Sequence, residues 1–415
     1  MSPDIFAPSP GTTHRPVGGS ETVRICMMSY SYYDIDNRIR RYAETLARRG
    51  DHVDVISLAR EEDPPEGSVN GVNVYRIQKR IINERGKFTY LGRLLKFFIL
   101  SAYRVSRMHL RERYDVVHVH NVPDFEVFAA LIPKITGTPV ILDIHDILPE
   151  FYADKFHVGK DNVMFRLMLF VEKISTAFSD HVIISNHIWQ ERLAGRSVPN
   201  GKCSVIMNYP DPEIFHPRNV EKAPGKFVLI YPGTVNKHQG LDIAIRAFSR
   251  IKDEIPEAEF HIYGDGQERP ALEKLISGLG LENRVYFRGR LSIEKVVEEM
   301  AKADVGLVPK RDEGFGGEAF STKTWEFMRL DVPIILSRTR IDDYYFNDEV
   351  VRFFDPGDEE SLARSIVAMR KDEGARAELV RNARDYMKDK GWEVKKAEYL
   401  DLLDALARRG NARHA

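Results

Sequence analysis

Apolar strand-like runs alternate with amphipathic helical stretches along almost the whole chain, and this alternation limits the fold more than any other feature. Val23–Tyr30 (VRICMMSY) is a continuous apolar run of the kind a strand buried on both faces requires. Asn37–Arg49 has helical spacing and is ended by Gly50. Val53–Leu58 and Val72–Ile77 predict two more strands, and Lys87–Arg111 predicts a long helix. Strands at Val116–His120, Val140–Ile144 and His181–Ser185 follow, with helices after Pro123 and over Val163–Phe178. Strands separated by helices in this order make a parallel sheet wound on both faces. Tyr209–Lys226 interrupts the pattern with four prolines and no periodicity, as a linker does. The alternation then restarts, with strands at Phe227–Tyr231, Glu259–Tyr263, Val285–Arg288, Asp304–Val308 and Pro333–Ser337. Helices at Leu241–Ile251, Glu268–Leu279, Ile293–Ala301 and Ser321–Arg329 lie between them. The expectation is an α/β chain of two doubly wound halves facing each other across a cleft, where a ligand binds. Its expected parts are a disordered leader over 1–20, a first domain over 21–212, a linker over 213–226 and a second domain over 227–390. A closing segment over 391–415, helical near Trp392–Leu406, crosses back to the first domain.

Charge and cysteine content narrow the function. Lys and Arg number 61 against 62 Asp and Glu, a formal net charge of −1, so no global field draws the chain to nucleic acid. Cys26 and Cys203 are too few for a thiolate metal site or a disulfide framework. They read as buried free thiols of a cytoplasmic protein. The most apolar window, Leu91 to Leu110, is broken by Arg93, Lys96, Arg104 and Arg107 and cannot span a bilayer.

Three turns carry the chemistry. Tyr231-Pro-Gly-Thr-Val-Asn-Lys-His-Gln-Gly240 joins a strand to a helix, where a glycine lets backbone N–H groups approach an anion; an ordinary tight turn is the plainer alternative. Gly264-Asp-Gly266 does not read as a dinucleotide fingerprint, because the third glycine position holds Arg269. Glu318-Ala-Phe-Ser-Thr-Lys-Thr-Trp-Glu326 follows the Gly314-Phe-Gly-Gly317 loop and runs into a helix starting near Ser321. Lys323 in the first turn of that helix opposes the macrodipole, which makes sense if an anionic ligand fills the space. A solvated lysine between two surface carboxylates is the bland alternative.

These residues resemble glycosyltransferase family 4. The shared features are the E-x7-E spacing of Glu318 and Glu326, the FSTKTWEFM run and the GTVNKHQGLD turn. Further pieces are Ile262–Gly266, Val285–Arg290, Leu142–Asp146 and Asn208–Asp211. The resemblance spans roughly residues 22 to 408. It implies two Rossmann-like domains facing each other across a cleft, the GT-B fold. It also implies a nucleoside diphosphate sugar as donor, transfer to an acceptor hydroxyl with retention, and no cofactor or essential metal. By that resemblance Glu326 holds the ribose hydroxyls, and Glu318 holds the donor sugar with the amides of Phe320 and Ser321. Gly233 and Thr234 offer backbone donors to the diphosphate, Arg290 meets the base through its main chain, and His145 reaches the sugar from the first half. Two departures stand out. Thr234 and Gln239 occupy positions where the family usually has Arg and Lys, which leaves Lys323 first and Lys237 second as the cation facing the diphosphate. The usual glycine-rich first loop is replaced by Ser29–Arg38.

Other motifs read as structural. Asp34-Ile-Asp36 precedes an amphipathic helix and reads as a cap, not a metal-binding pair. His118-Val-His120 sets two imidazoles on one side of a strand, with no third ligand spaced to complete a metal site and His120 lining the cleft. On the long helix, Leu91, Leu95, Phe98, Ala102 and Val105 form one stripe. Arg93, Lys96, Arg104 and Arg107 gather opposite with Phe97 and Leu100 among them, and residues 85 to 111 contain no acid. That face is expected to touch an anionic membrane surface from the cytoplasmic side. The favoured function is a glycosyltransferase acting on a glycan or lipid-linked acceptor in polysaccharide or glycan synthesis. A nucleotide-sugar epimerase of the same fold, or a non-catalytic nucleotide- or carbohydrate-binding module, are the alternatives.

Overall fold

A computed structural model describes residues 22–80, 87–121, 123–156, 158–199 and 201–412. The leader expected over 1–20 lies outside the described residues. In the first half β1 (Arg24–Ser29), β2 (His52–Ala59), β3 (Glu66–Val69) and β4 (Val72–Lys79) are followed by β5 (Val116–His120) and β6 (Val140–Ile144). β7 (His181–Ile184) and β8 (Cys203–Val205) complete a sheet of order β3-β4-β2-β1-β5-β6-β7-β8. Every pairing is parallel except β3 with β4, a hairpin closed by Asn70 and Gly71, both at positive φ. The helices of this half are α1 (Asn37–Arg49), α2 (Lys87–Arg111), α3 (Leu131–Ile135), α4 (Leu148–Phe156), α5 (Val163–Phe178) and α6 (His187–Ala194). Where a helix was expected after Pro123, Asp124–Ala130 is a 3₁₀ run leading into α3.

The second half is built on β9 (Phe227–Pro232), β10 (Ala258–Tyr263), β11 (Val285–Gly289), β12 (Val305–Val308), β13 (Ile334–Ser337) and β14 (Arg352–Phe354). They form an all-parallel sheet of order β11-β10-β9-β12-β13-β14. Its helices are α7 (Leu241–Ile251), α8 (Arg269–Gly278), α9 (Ile293–Lys302), α10 (Thr322–Arg329), α11 (Arg340–Tyr345), α12 (Glu359–Lys371) and α13 (Glu373–Tyr386). In both halves the chain order reverses beside the first strand, and ligands of such sheets bind beyond the carboxyl ends at that point.

The last helix, α14 (Trp392–Ala412), returns to the first half. Trp392 Nε1 donates to Thr45 Oγ1 at 2.8 Å, and the Tyr399 ring stacks on Tyr42 with centroids 4.3 Å apart. The Tyr399 hydroxyl lies 2.9 Å from His118 Nδ1, so α14 covers polar groups that the first half alone would leave open. At the hinge, Tyr209 lies flat against Trp325 of α10, with centroids 5.0 Å apart. A single apolar core therefore runs from β1 and β5 through α14 into β9, β12 and β13.

α2 does not sit as its stripe predicts. Leu94, Phe97, Ser101, Val105 and His109 face the sheet, while Leu91 and Leu95 point outward. Phe97 is thus a core residue and Leu100 is half-buried, so neither belongs to an exposed basic face. Arg104 is also engaged, paired with Glu66 and stacked over Tyr75; Lys96 and Arg107 are exposed, and Arg93 is half-buried. The helix is apolar on nearly every side, and packing against the sheet chose a different stripe.

Truncating the strap tests its contribution. Trp392→Ala is expected to cost about 3–5 kcal/mol, read from the shift in a chemical denaturation midpoint at unchanged slope.

Candidate functional site

The site forms where the carboxyl ends of β9 and β10 meet α10. Gly233 and Gly264, the residues ending those two strands, both have φ of 145°. A Cβ on Gly264 would collide with the Gly233 carbonyl, and one on Gly266 with the Val235 carbonyl. The two turns interlock backbone to backbone, which gives Gly264 and Gly266 a packing role in place of a dinucleotide one. A Cβ on Gly233 would strike Lys323 Cε, so the missing side chain makes room for the lysine stem. The Gly233 N–H donates to the Tyr263 carbonyl at 2.8 Å and is not free for a diphosphate, contrary to the sequence expectation. Thr234 beside it is exposed.

Lys323 stands in the first turn of α10, its ammonium 5.3 Å from the centroid of the Tyr231 ring. Burial, with the nearby Lys310 cation adding to it, lowers the pKa of Lys323 from the ordinary lysine value against the opposing pull of Glu326. Burial raises that of Glu326, and Lys323 and a hydrogen bond from Thr322 oppose the rise. Ser321 occupies the N-cap, but its hydroxyl makes no capping bond and is buried without a partner. The amino end of α10 thus presents an uncapped turn, an ammonium and a carboxylate on one surface, a setting suited to an anion bearing hydroxyls. Phe320 packs among Trp325, Tyr345 and Phe346 just before it.

The two glutamates of the E-x7-E pair line different cavities between the halves. Glu326 and Thr322 face one of about 650 Å³, walled on the other side by Tyr32, Arg41, Tyr209 and Trp392. Arg41 donates there only to the backbone carbonyls of Tyr209 and Met207, and burial pushes its pKa down to about 10. Glu318 lies in a second cavity of about 720 Å³ with Phe315 and Arg340, facing Glu150, Asp154 and Arg192 of the first half. Its Oε1 already accepts from Arg340 at 2.9 Å and from Arg192 across the cleft, so this carboxylate ties the halves together. Lys310, Arg192 and Arg340 were missed in the sequence reading. Lys310 and Arg340 fall two or three residues beyond β12 and β13, where parallel sheets place ligand-facing groups, and that position is the signal that could have found them. Lys310 is buried, 2.9 Å from Asp342 and 2.8 Å from the Ala319 carbonyl, and braces the loop that carries Glu318. Lys237 and Arg290 are both exposed, Lys237 opening a 3₁₀ turn and Arg290 following β11.

His145 follows β6 in the first half, and its side chain is 19% exposed. Its Nε2 lies 3.3 Å from Asp143 Oδ2 and 3.3 Å from His120 Nδ1. Asp143 accepts from Arg38 Nε at 2.8 Å and Nη2 at 2.7 Å, and although burial works against its charge, Arg38 and His145 hold its carboxyl well below the usual range. His118, His120 and Asp143 do bring three ligand atoms within 4.8 Å of one another, which the sequence spacing did not suggest. The Arg38 guanidinium already fills the cationic position on Asp143. His120 is fully buried and does not line the cleft. Asp36 caps α1 by accepting from the Ile39 N–H, as a cap and not a metal ligand.

Two wound, mainly parallel α/β sheets whose strand ends face each other make the GT-B architecture, and the comparisons agree and give the class. The "Glycosyl transferase 4-like domain" model matches residues 35–209, and "Glycosyl transferases group 1" matches residues 213–386. The chain belongs to this group 1, family 4-like glycosyltransferase family and is an enzyme of that class. It is 26% identical over 376 residues to an uncharacterized glycosyltransferase of Methanocaldococcus jannaschii, covering 85% of this chain and 89% of that one. Among solved structures, sucrose-phosphate synthase from Thermosynechococcus elongatus superposes with a TM-score of 0.76 at 18% identity, over 92% of this chain and 99% of that one. Anabaena HepE, solved in complex with UDP-glucose, gives 0.68 at 17% identity, over 92% and 99%.

Two substitutions separate the turn from the cation it admits. Gly264→Ala is expected to lower stability by about 1–3 kcal/mol, because carbonyl and Cβ cannot share the space. Gly233→Ala displaces a flexible lysine, so donor binding should fall more than the melting temperature does. The buried imidazoles give a pH signature. Burial lowers the pKa of both His118 and His120 in the folded protein, so the unfolded chain binds more protons as pH drops below about 6.5. Stability is therefore expected to fall from pH 7 toward pH 5, with a shallower slope in His118→Gln, as read by thermal melts across that range.

Proposed function

We propose that the protein transfers a sugar from a nucleoside diphosphate sugar to an acceptor hydroxyl with retention of configuration. The observation that carries this reading is Lys323, a half-buried ammonium at the uncapped start of α10 with Glu326 one turn behind it. Glu326 accepts hydrogen bonds from the two ribose hydroxyls, since one carboxylate offers an oxygen to each. Lys323 faces the diphosphate, with Lys237 beyond it, Thr234 and Ser321 offering backbone donors and Arg290 meeting the base through its main chain. HepE, a fold relative solved with UDP-glucose, supports this class of donor. As the bond from the anomeric carbon to the diphosphate oxygen breaks, negative charge grows on the leaving group. A fixed ammonium in a site sheltered from water stabilises that charge. The acceptor oxygen bonds to the anomeric carbon from the same side, and its proton passes to the departing phosphate oxygen.

On the facing half, His145 reaches the sugar, its ring fixed by Asp143 and Arg38. Glu318 accepts from the sugar hydroxyls once the donor displaces Arg192 from it. The acceptor is a glycan or lipid-linked glycan, used at the cytoplasmic face of a membrane. Among the described residues no helix is long and apolar enough to cross one.

Lys323→Ala is expected to lower turnover by about 100- to 1,000-fold, measured with whichever donor most raises the melting temperature in a panel of nucleoside diphosphate sugars; near-full turnover would remove the assignment. Glu326→Gln should weaken donor binding by about 1.5–3 kcal/mol in calorimetric titration. Donor affinity should decline as pH rises through the lowered pKa of Lys323, on the acid side of an ordinary lysine, while Lys323→Arg holds affinity to higher pH.

A further inference from the structure

The outer layer of the first half carries an unusual surface. α2, the Asp124–Ala130 run with α3, and α5 lie side by side on one face of the sheet, joined by ring contacts of Phe98 with Phe125 and of Phe128 with Phe178. Of the twenty exposed large hydrophobic side chains among the described residues, thirteen stand on α2, α3 and α5. Single exposed apolar residues are ordinary, but a cluster on adjacent helices marks a contact surface. Leu95 and Ile99 on α2, Ile135 on α3, and Leu167, Phe170 and Ile174 on α5 form its ridge, with Phe170 59% exposed. α5 alone sets Val163, Leu167, Phe170 and Ile174 at helical spacing on its outer side while burying Phe165 and Glu172 on the inner.

The charges around the ridge are mostly positive. Lys96, Arg107, Arg111 and Lys173 are exposed, as is Arg166, which pairs with Asp161. α2 contains no acid at all, and the single acid of α5, Glu172, is buried against Arg196. An apolar ridge framed by cations matches the boundary of an anionic bilayer, where acyl chains meet acidic headgroups.

We propose that α2, α3 and α5 together dock the enzyme on an anionic lipid surface, with Phe170, Leu167 and Ile99 entering the headgroup boundary. This deepens the membrane-face reading above and corrects its residues, because Phe97 and Leu100 are turned inward or half-buried while α5 supplies the larger share. It rests on that reading only for the acceptor's location. The first turns of α5 adjoin the cavity holding Glu318, which Val158, Lys160 and Phe165 help to line, so docking brings that mouth beside the lipid surface.

The test is flotation of the full chain with vesicles of phosphatidylcholine alone or phosphatidylcholine with phosphatidylglycerol. Binding is expected only to the mixed vesicles and should fall with added salt. Loss of each basic residue should weaken it about fivefold, tested as Lys173→Gln and Arg107→Gln. Leu167→Glu with Phe170→Glu should abolish it at an unchanged melting temperature, since both side chains are exposed. No flotation of the wild type, or flotation indifferent to these changes, overturns the proposal. So does a stable dimer in sedimentation velocity that Phe170→Glu dissolves, because the surface then belongs to a second copy. Donor binding is measured separately, so loss of the glycosyl-transfer reading would show there while vesicle binding stood.

Discussion

A lysine whose burial is only half compensated sets the terms for the second half of the molecule. Lys323 is drawn out of water by Tyr231 and the β9 turn, and its neighbours are one carboxylate and another lysine. Taking a charge out of water without full pairing is costly, and the stem keeps its place because the backbone beside it is constrained to leave room at Gly233. The interlocked turns at Gly233 and Gly264 supply that constraint, since each is seated against the other with no side chain between them. An anionic ligand would relieve the imbalance. On the proposed function, the arrangement favours the bound state by keeping the empty one slightly unfavourable.

The first half solves the opposite problem. Asp143, Arg38, His120 and His145 form a closed group in which the carboxylate is matched by a bidentate guanidinium and burial holds down the pKa of His120. Such a group fixes ring orientation more than it supplies charge, which suits a residue that must present one side chain to the cleft. The halves meet through contacts of different kinds. Near the hinge Tyr209 and Trp325 are stacked flat, a contact that tolerates small rotations, whereas Arg192 with Glu318 is a directional pair on the far side of the cleft. A rotation of one half against the other would pivot at the apolar end and make or break ions at the other.

Periodicity exposed the two wound sheets because strands buried on both faces must be apolar throughout, and few sequences do that by accident. It did not set the rotation of α2. Leu91, Leu95 and Phe98 form as good a stripe as Leu94, Phe97 and Val105, and packing in three dimensions, with His109 Nε2 2.7 Å from Thr136 Oγ1, breaks the tie. Short elements were lost for lack of length: β8 has three residues and α11 six. The β3–β4 hairpin had its signal in Asn70-Gly71, where two residues at positive φ close a tight turn. At the site, the E-x7-E spacing and Lys323 were readable because they sit within nine residues of one another. Asp143 with Arg38, 105 positions apart, and Arg192 with Glu318, 126 apart, are products of topology that no local pattern announces.

The returning helix has a consequence for how such chains diversify. α14 is encoded after the second half, yet Trp392 and Tyr399 finish the interior of the other half by covering Thr45, Tyr42 and His118. Recombination at the proline-rich hinge would hand each offspring a foreign cover for its opening half. Swapping one specificity for another by shuffling whole modules is thus penalised, and lineages built this way are left to change their substrates mainly by altering loops within an inherited pair.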